Sequence, residues 1–242
     1  FNTVLTAAER NALRTVGVEA AQADTAVANA SGRLNATAVA GGHLIAYWNL
    51  NDAPGTTVAP GDGGTSIVLK IGPQTEGAEF IAGGGPTLPS GGAPLNAVYF
   101  DGNKDFIRTA DSPSLDFDKS QGTISFWVRP DQLIVDNNAA TGYIALAEDA
   151  NQQIFVGISR QQDAGAAFGN ADFFSRIVFS PFENTPVSNQ NIVVSNTRLA
   201  EGAWTHVTVT WDFASQTASI FINGALDTTI VNNTTNPAVW TQ

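Results

Sequence analysis

Residues 122–130 read GTISFWVRP, and apolar and polar side chains alternate along this segment until the proline. Alternation with a period of two is typical of a β-strand with one buried face, and proline ends a strand because it cannot donate a hydrogen bond to the ladder. One face carries Ile124, Phe126 and Val128. The other face carries Ser125, Trp127 and Arg129. The sequence therefore predicts a strand with one core-facing side, and two interpretations stay open for the side that carries Trp127: a ligand-binding surface, or a second buried face.

The same period continues on both sides of this segment. Strands are predicted at residues 44–50, 96–100, 106–109, 143–146, 154–159, 173–179, 191–195, 205–211, 217–222 and 225–230. Gly102-Asn103 predicts a hairpin that joins residues 96–100 to 106–109, and Asn223-Gly224 predicts a second hairpin turn. Many short strands without interleaved helices indicate an all-β fold, an antiparallel jelly-roll β-sandwich.

The first forty residues differ from the rest of the chain. Thr6-Ala7-Ala8-Glu9 has the form of a capping box, and Gly32 is a natural stop, so we predict a helix over residues 7–31. Apolar side chains recur along it every three or four positions, at Leu13, Val16, Ala20, Ala23 and Val27. Two interpretations stay open: a linker helix that lies on its own domain, or an arm that docks on a neighbouring subunit. The predicted domains are accordingly a helical arm at 1–40 and a sandwich at 41–242.

The overall charge excludes several classes of partner. Lys and Arg total 11 against 22 Asp and Glu, which gives a net charge of −11. Nucleic acid requires a basic footprint, so it is not an expected partner. The chain has no cysteine, which excludes disulfides and thiolate chemistry. No apolar run is long enough to predict a membrane span, and the acidic, cysteine-free composition favours an extracellular or cell-surface location.

Several segments, in this order, resemble laminin-G-like domains of the concanavalin A-like lectin and glucanase superfamily. They are residues 44–57, 97–107, 112–130, 202–212 and 220–224. The resemblance covers roughly residues 43–230 and implies a jelly-roll sandwich. It implies no single function, because this fold occurs in lectins, glycosidases, lyases, adhesins and spacer domains. Family members usually add two strands after the turn at 222–224, the last of them beside the first strand. Three interpretations stay open: the sequence is an excerpt of a longer chain, the sheet edge beside residues 44–50 is exposed, or another chain fills that edge.

Catalytic residues are not predicted. Glycosidases of this fold carry Glu-x-Asp-x-x-Glu on one strand, and the adjacent Glu148-Asp149 would instead point to opposite strand faces. Related lyases use a Tyr or His base. The tyrosines, which lie in apolar strands and are expected in the core, are Tyr47, Tyr99 and Tyr143. His206 is expected in the structural framework. For ligand binding, the candidates are Trp127, Arg129 and Trp240.

Calcium is the one metal for which the chain offers a pattern. Asp101, Asn103 and Asp105 have the spacing with which a calcium loop begins, but Phe106 stands where such a loop needs glycine. Laminin-G-like domains do carry calcium sites in loops, as the resemblance implies. Two interpretations stay open: a calcium site, or a hairpin with polar turn residues.

Three functions are compatible with these observations. We expect a non-enzymatic structural or adhesive subunit that self-assembles through residues 1–40 and its open sheet edge. A head-to-tail contact of this kind forms rings or filaments. The alternative is a lectin-like module that binds carbohydrate, and the third is a polysaccharide-active enzyme.

Overall fold

The computed structural model describes residues 1–15, 46, 48, 50, 58–59, 69–71, 78–89, 91–101, 107–108, 120–133, 140–149, 152–159, 174–181 and 192–231. The chain divides into two compact units, Phe1–Asp118 and Lys119–Gln242. Their described secondary structure is antiparallel β-sheet together with one short helix near the N-terminus. The predicted all-β class is therefore confirmed, whereas a domain boundary near residue 40 lies outside the described residues and stays a prediction.

The helix α1 spans Ala7–Thr15 and begins at the predicted capping box. The amide of Thr6 donates to Glu9 Oε2 at 2.7 Å, and the amide of Glu9 donates to Thr6 Oγ1 at 3.3 Å. These two reciprocal bonds satisfy amides that a helix start leaves without partners. Leu13, the first residue of the predicted seam, is buried within the chain. The other seam positions, Val16, Ala20, Ala23 and Val27, lie outside the described residues.

In the described part of the first unit, short strands form two small sheets. They are β1 (Val58–Ala59), β2 (Leu69–Ile71), β3 (Glu79–Ile81), β4 (Ala97–Tyr99) and β5 (Ile107–Arg108). One sheet has the order β1-β2-β5, and the other pairs β3 with β4. The predicted hairpin around Gly102-Asn103 is therefore wrong, because β4 and β5 pair with different strands. The preceding predicted strand at 44–50 is described only at Ala46, Trp48 and Leu50, which lie outside any strand.

The β3–β4 ribbon corrects a second expectation. Phe80 pairs with Val98 and is only 2% exposed, so this pair marks the covered face of the ribbon. Tyr99 pairs with Glu79 on the opposite face and is 42% exposed. The prediction of Tyr99 in the core is wrong, since the strand alternates and only one of its faces is covered.

The described residues of the second unit form two four-stranded antiparallel sheets. Its strands are β6 (Gln121–Val128), β7 (Ala140–Asp149), β8 (Gln152–Ser159), β9 (Arg176–Ser180), β10 (Val193–Arg198), β11 (Thr205–Asp212), β12 (Thr217–Ile222) and β13 (Ala225–Val231). The orders are β13-β12-β11-β6 and β10-β9-β8-β7. The jelly-roll β-sandwich is thus confirmed. Strands β9 and β10 lie near the segments 173–179 and 191–195 that the sequence predicts as strands.

The turns of the β13-β12-β11-β6 sheet lie where turn-forming residues predict them. Asn223 and Gly224 both have positive φ, 51° and 83°, as the two-residue hairpin between β12 and β13 requires. The Asn223 side chain also accepts a hydrogen bond from the His206 amide at 3.0 Å. At the β11–β12 turn, Asp212 Oδ1 accepts the amide of Ala214 at 2.9 Å. Both turns are therefore fixed by side-chain oxygens on backbone amides.

The two sheets of the second unit pack around Trp211. This side chain is buried, and its ring lies 6.0 Å from the ring of Phe179 on the opposite sheet. Gly122, the strand partner of Trp211, leaves room for the indole. A Cβ atom at position 122 would lie 2.3–2.9 Å from carbons of that ring. The other apolar core residues include Val156, Ile158, Ile177, Val207, Val209 and Ile220.

Asp227 on β13 links the edges of the two sheets. Its Oδ1 accepts the amide of Thr197 at 3.0 Å, and its Oδ2 accepts the amide of Asn196. The Asn196 side chain donates in return to the Asp227 carbonyl at 2.8 Å. The pairing register shifts in this part of β10 and of β13, and the carboxylate occupies the resulting irregularity.

Among the described residues, no helix has the length and apolar character needed to cross a membrane.

We predict that Gly122→Ala destabilises the second unit by about 1–3 kcal/mol, because the added methyl group overpacks the indole of Trp211. Thermal unfolding followed by circular dichroism measures this effect. In a Trp211→Phe background the same substitution should lower the stability less, because the smaller phenyl ring lacks the indole carbons that the added methyl group would contact. An equal cost in both backgrounds would contradict the packing explanation.

Candidate functional site

Aromatic and basic side chains gather where β6 ends and β11 begins. Trp127 pairs with His206 and Val128 pairs with Thr205, so the next pair outward is Arg129 and Trp204. Alternation places these four on the sheet face opposite to Trp211, which points at the second sheet. We call Trp127, Arg129, Trp204 and His206 the aromatic–arginine cluster. Trp127, Arg129 and Trp204 are partly exposed, whereas His206 is buried.

Arg129 is held between an aromatic ring and a carboxylate. Its guanidinium carbon lies 5.4 Å from the centroid of the Trp204 ring, within the range of a cation–π interaction. Its Nε donates to Asp131 Oδ1 at 2.7 Å, and its Nη2 lies 3.4 Å from Oδ2. The side chains of Arg129 and Asp131 are 33% and 45% exposed. Pro130 stands between them and is buried, so its fixed φ helps to hold the pair in one geometry.

The loops on either side of the cluster are tied together. The Gly202 amide donates to the Pro130 carbonyl at 2.8 Å. The Leu133 amide donates to Glu201 Oε2 at 3.1 Å. Gly202 has a φ of 71°, a backbone conformation that favours glycine at this turn. The loop after β6 and the loop before β11 therefore form one ordered rim beside Trp204.

His206 supports the cluster from below. Its ring lies 5.1 Å from the ring of Trp127 at an angle of 60°. Its Nε2 lies 3.0 Å from Ser125 Oγ, which is in turn 3.1 Å from Thr208 Oγ1. His206 is only 2% exposed. These contacts fit the expected framework role, because they orient the ring against Trp127 and leave it little access to a ligand.

The cluster combines two kinds of group that a sugar-binding surface needs. The partly exposed indoles offer flat apolar faces with negative potential. Arg129 supplies donors, and Asp131 and Glu201 supply acceptors for hydroxyl groups. Both carboxylates already have partners, Arg129 and the Leu133 amide respectively.

Sequence reasoning found part of this cluster. It placed Trp127 and Arg129 on one strand face, and the structure brings them into one cluster. It missed Trp204 in the cluster and the two neighbouring carboxylates, Asp131 and Glu201. The sequence did contain a signal for Trp204, because a residue two positions before His206 is expected on the same strand face. Its position opposite Arg129, however, depends on the pairing register of two strands, which no local pattern gives. Trp240 lies outside the described residues.

The predicted calcium ligands are described only in part. Asp101 is exposed two residues after the end of β4, and Asn103 and Asp105 lie outside the described residues. Within the described part of the chain, no group of three His, Cys, Asp or Glu side chains has the arrangement of a metal site. Since β4 and β5 belong to different sheets, residues 101–106 connect two sheets. A calcium site here stays a prediction.

If calcium binds at Asp101, Asn103 and Asp105, a chelator should lower the melting temperature. Calcium at about one hundred times its Kd stabilises a protein by about 2.7 kcal/mol, which corresponds to about 5–10 °C for a chain of this length. Differential scanning calorimetry with calcium and with EDTA measures the shift. Asp105→Ala should abolish it and Glu79→Ala, at an exposed position of β3, should not. Identical melting curves in calcium and EDTA would leave the alternative of polar loop residues.

Comparison with known proteins adds a family assignment. A family model described as the concanavalin A-like lectin/glucanases superfamily matches residues 101–242, more than half of the chain. No relative is found among curated proteins.

Solved structures with a related fold are distant. A putative carbohydrate-binding protein from Bacteroides ovatus ATCC 8483 is 16% identical with a TM-score of 0.32, and the match covers 48% of this chain and 27% of that one. The binding domain of botulinum neurotoxin DC in complex with SialylT is 14% identical with a TM-score of 0.41, covering 76% and 40%. Domain 4 of AbnA, a GH43 extracellular arabinanase from Geobacillus stearothermophilus in complex with arabinotriose, is 17% identical with a TM-score of 0.35, covering 71% and 61%. The chain thus spans less than two thirds of each of these three proteins.

Proposed function

The chain belongs to the concanavalin A-like lectin/glucanases superfamily, and from this premise we propose that it is a non-enzymatic carbohydrate-binding module. The ligand surface is the aromatic–arginine cluster at the end of β6 and the start of β11. The observation that carries the proposal is Arg129, which lies over the Trp204 ring at 5.4 Å while Asp131 holds its guanidinium at 2.7 Å. An aromatic face, donors and acceptors converge there on a partly exposed surface.

The geometry suits a saccharide better than a purely apolar ligand. A sugar ring has an apolar face of C–H groups, which pack on the negative face of an indole. Its hydroxyls both donate and accept, so they match a surface that offers Arg129 as donor and Asp131 and Glu201 as acceptors. The ordered rim limits the conformational entropy lost when the ligand binds.

The arrangement of the carboxylates favours binding over catalysis. Glycoside hydrolysis needs one carboxylic acid to protonate the leaving group and a second carboxylate as base or nucleophile. Asp131 is paired with Arg129, and Glu201 accepts the amide of Leu133. Both carboxylates thus act as hydrogen-bond acceptors in fixed contacts, and we propose that the module binds its ligand without turnover. An extracellular or cell-surface location, where polysaccharides and glycans are exposed, is part of the proposal.

We predict that Trp204→Ala weakens carbohydrate binding at least tenfold, about 1.4 kcal/mol, because it removes the aromatic face of the cluster. Affinity gels that contain arabinan, xylan, galactan or laminarin identify a ligand, and isothermal titration calorimetry gives its Kd. The matched control is Leu226→Ala on β13, which removes a 58% exposed apolar side chain from the same sheet. Equal effects of the two substitutions, or no retardation by any of the four polysaccharides, would contradict the proposal.

A second candidate function is self-assembly as a structural or adhesive subunit. The observation in its favour is that the helix begins at the predicted residue with its capping box formed. Leu13 is already buried within the chain, so the first turns of the helix are not available to dock on a neighbouring subunit. The proposal therefore assigns docking on a neighbouring subunit to the later seam positions, Ala23 and Val27.

If these positions dock, Ala23→Asp should convert an assembled species to monomer, because a charge in an apolar contact is desolvated without a partner. Sedimentation velocity across a concentration series measures the assembly state. Thr25→Asp, two positions further along the predicted helix and on its opposite side, is the control. A chain that stays monomeric at all concentrations, or an Ala23→Asp variant that assembles normally, would leave the linker interpretation of the helix.

A further inference from the structure

The charge balance of the aromatic–arginine cluster differs from that of a site for acidic ligands. A site that captures carboxylate or sulfate groups presents Arg with its planar N–H fork toward the ligand. Here Nε and Nη2 of Arg129 face Asp131 at 2.7 and 3.4 Å. The edge of the guanidinium best suited to a bidentate contact is therefore directed at a carboxylate of the chain itself.

The surrounding charges strengthen this effect. Asp131 offsets the charge of Arg129, and Glu201 on the adjoining loop adds a further carboxylate beside them. The chain as a whole carries a net charge of −11. An anionic ligand at Trp204 would meet no uncompensated positive charge from these three side chains, and it would be repelled by the remaining negative charge.

We propose that the cluster is selective for neutral saccharides, and that Asp131 is the residue that sets this selectivity against uronic-acid, sialylated or sulfated glycans. This inference rests on the proposed carbohydrate-binding function. Asp131 acts by orienting and neutralising Arg129, so the guanidinium serves as a donor to neutral hydroxyl groups beside Trp204. Pro130, which lies between Arg129 and Asp131, has a fixed φ and so restricts the backbone that positions the two side chains.

The test uses the whole chain and a matched pair of ligands. One is galactan or laminarin, whichever binds better in the affinity gels, because the hexose units of both carry the primary alcohols that the second ligand requires. The other is the same polymer after selective oxidation of its primary alcohols to carboxylates. Titration calorimetry at low and at physiological salt gives the ratio of the two affinities for the native chain, for Asp131→Asn, and for Asp131→Asn combined with Arg129→Gln.

We expect the native chain to bind the neutral polymer at least tenfold more tightly than the oxidised one. Asp131→Asn should lower that ratio about tenfold by releasing the guanidinium fork, and Arg129→Gln should restore it. The control is Glu79→Gln on β3, which changes the net charge equally at an exposed position outside the cluster and should leave the ratio unchanged.

The outcomes separate this inference from the function on which it rests. If the chain binds the neutral polymer but binds the oxidised polymer equally or more tightly, the selectivity is overturned and the carbohydrate-binding function stays intact. An unchanged ratio in Asp131→Asn overturns the role of Asp131, and an equal change in Glu79→Gln assigns the selectivity to net charge instead. Absence of binding to every polysaccharide overturns the proposed function itself. Melting curves show whether each variant is folded.

Discussion

The contact between Trp211 and Gly122 is the constraint on which the second unit depends. The indole fills the space between the sheets, lies against Phe179, and needs a strand partner without a side chain. Only one register of β6 against β11 meets that need. Because side chains alternate with a period of two, a slip by one residue would turn every side chain of β6 to the other face. The inward packing therefore also determines the outward face, where Trp127 stands opposite His206 and Arg129 opposite Trp204.

The sequence was informative where structure is decided locally. Alternation along 122–130 and 205–211 predicts β6 and β11, and the Asn223-Gly224 pair predicts the β12–β13 turn, because each signal lies within a few residues. The error at residues 96–109 has the opposite origin. A glycine and asparagine between two strands suggest a hairpin, but β4 pairs with β3 instead. In that pairing Phe80 of β3 lies opposite Val98 of β4 and is buried. Burial of a distant side chain outweighed the local turn signal, and the same pairing exposes Tyr99.

The candidate site shows the same division. Trp127 and Arg129 were identified from their shared strand face, which a single strand reveals. Trp204 lies just before β11, more than seventy residues away along the sequence, and only the register of β6 and β11 places it beside Arg129. Asp131 and Glu201 lie on loops, where no period orders the side chains, and their roles depend on contacts between the two loops. Such contacts are set by tertiary structure and leave no pattern in the sequence.

The energetics of the Arg129–Asp131 pair bear on why it is present. Both side chains are more than 30% exposed, and exposed ion pairs contribute only about 0.2–1 kcal/mol to folding. The cation–π contact with Trp204 adds about 0.5–1 kcal/mol at such a position. These contributions are small beside the cost of removing a core aromatic such as Trp211, about 3–5 kcal/mol. The fold therefore has little need of the cluster, and this small energetic contribution is the reason for assigning the array of ring, donors and acceptors to the proposed ligand-binding role rather than to stability.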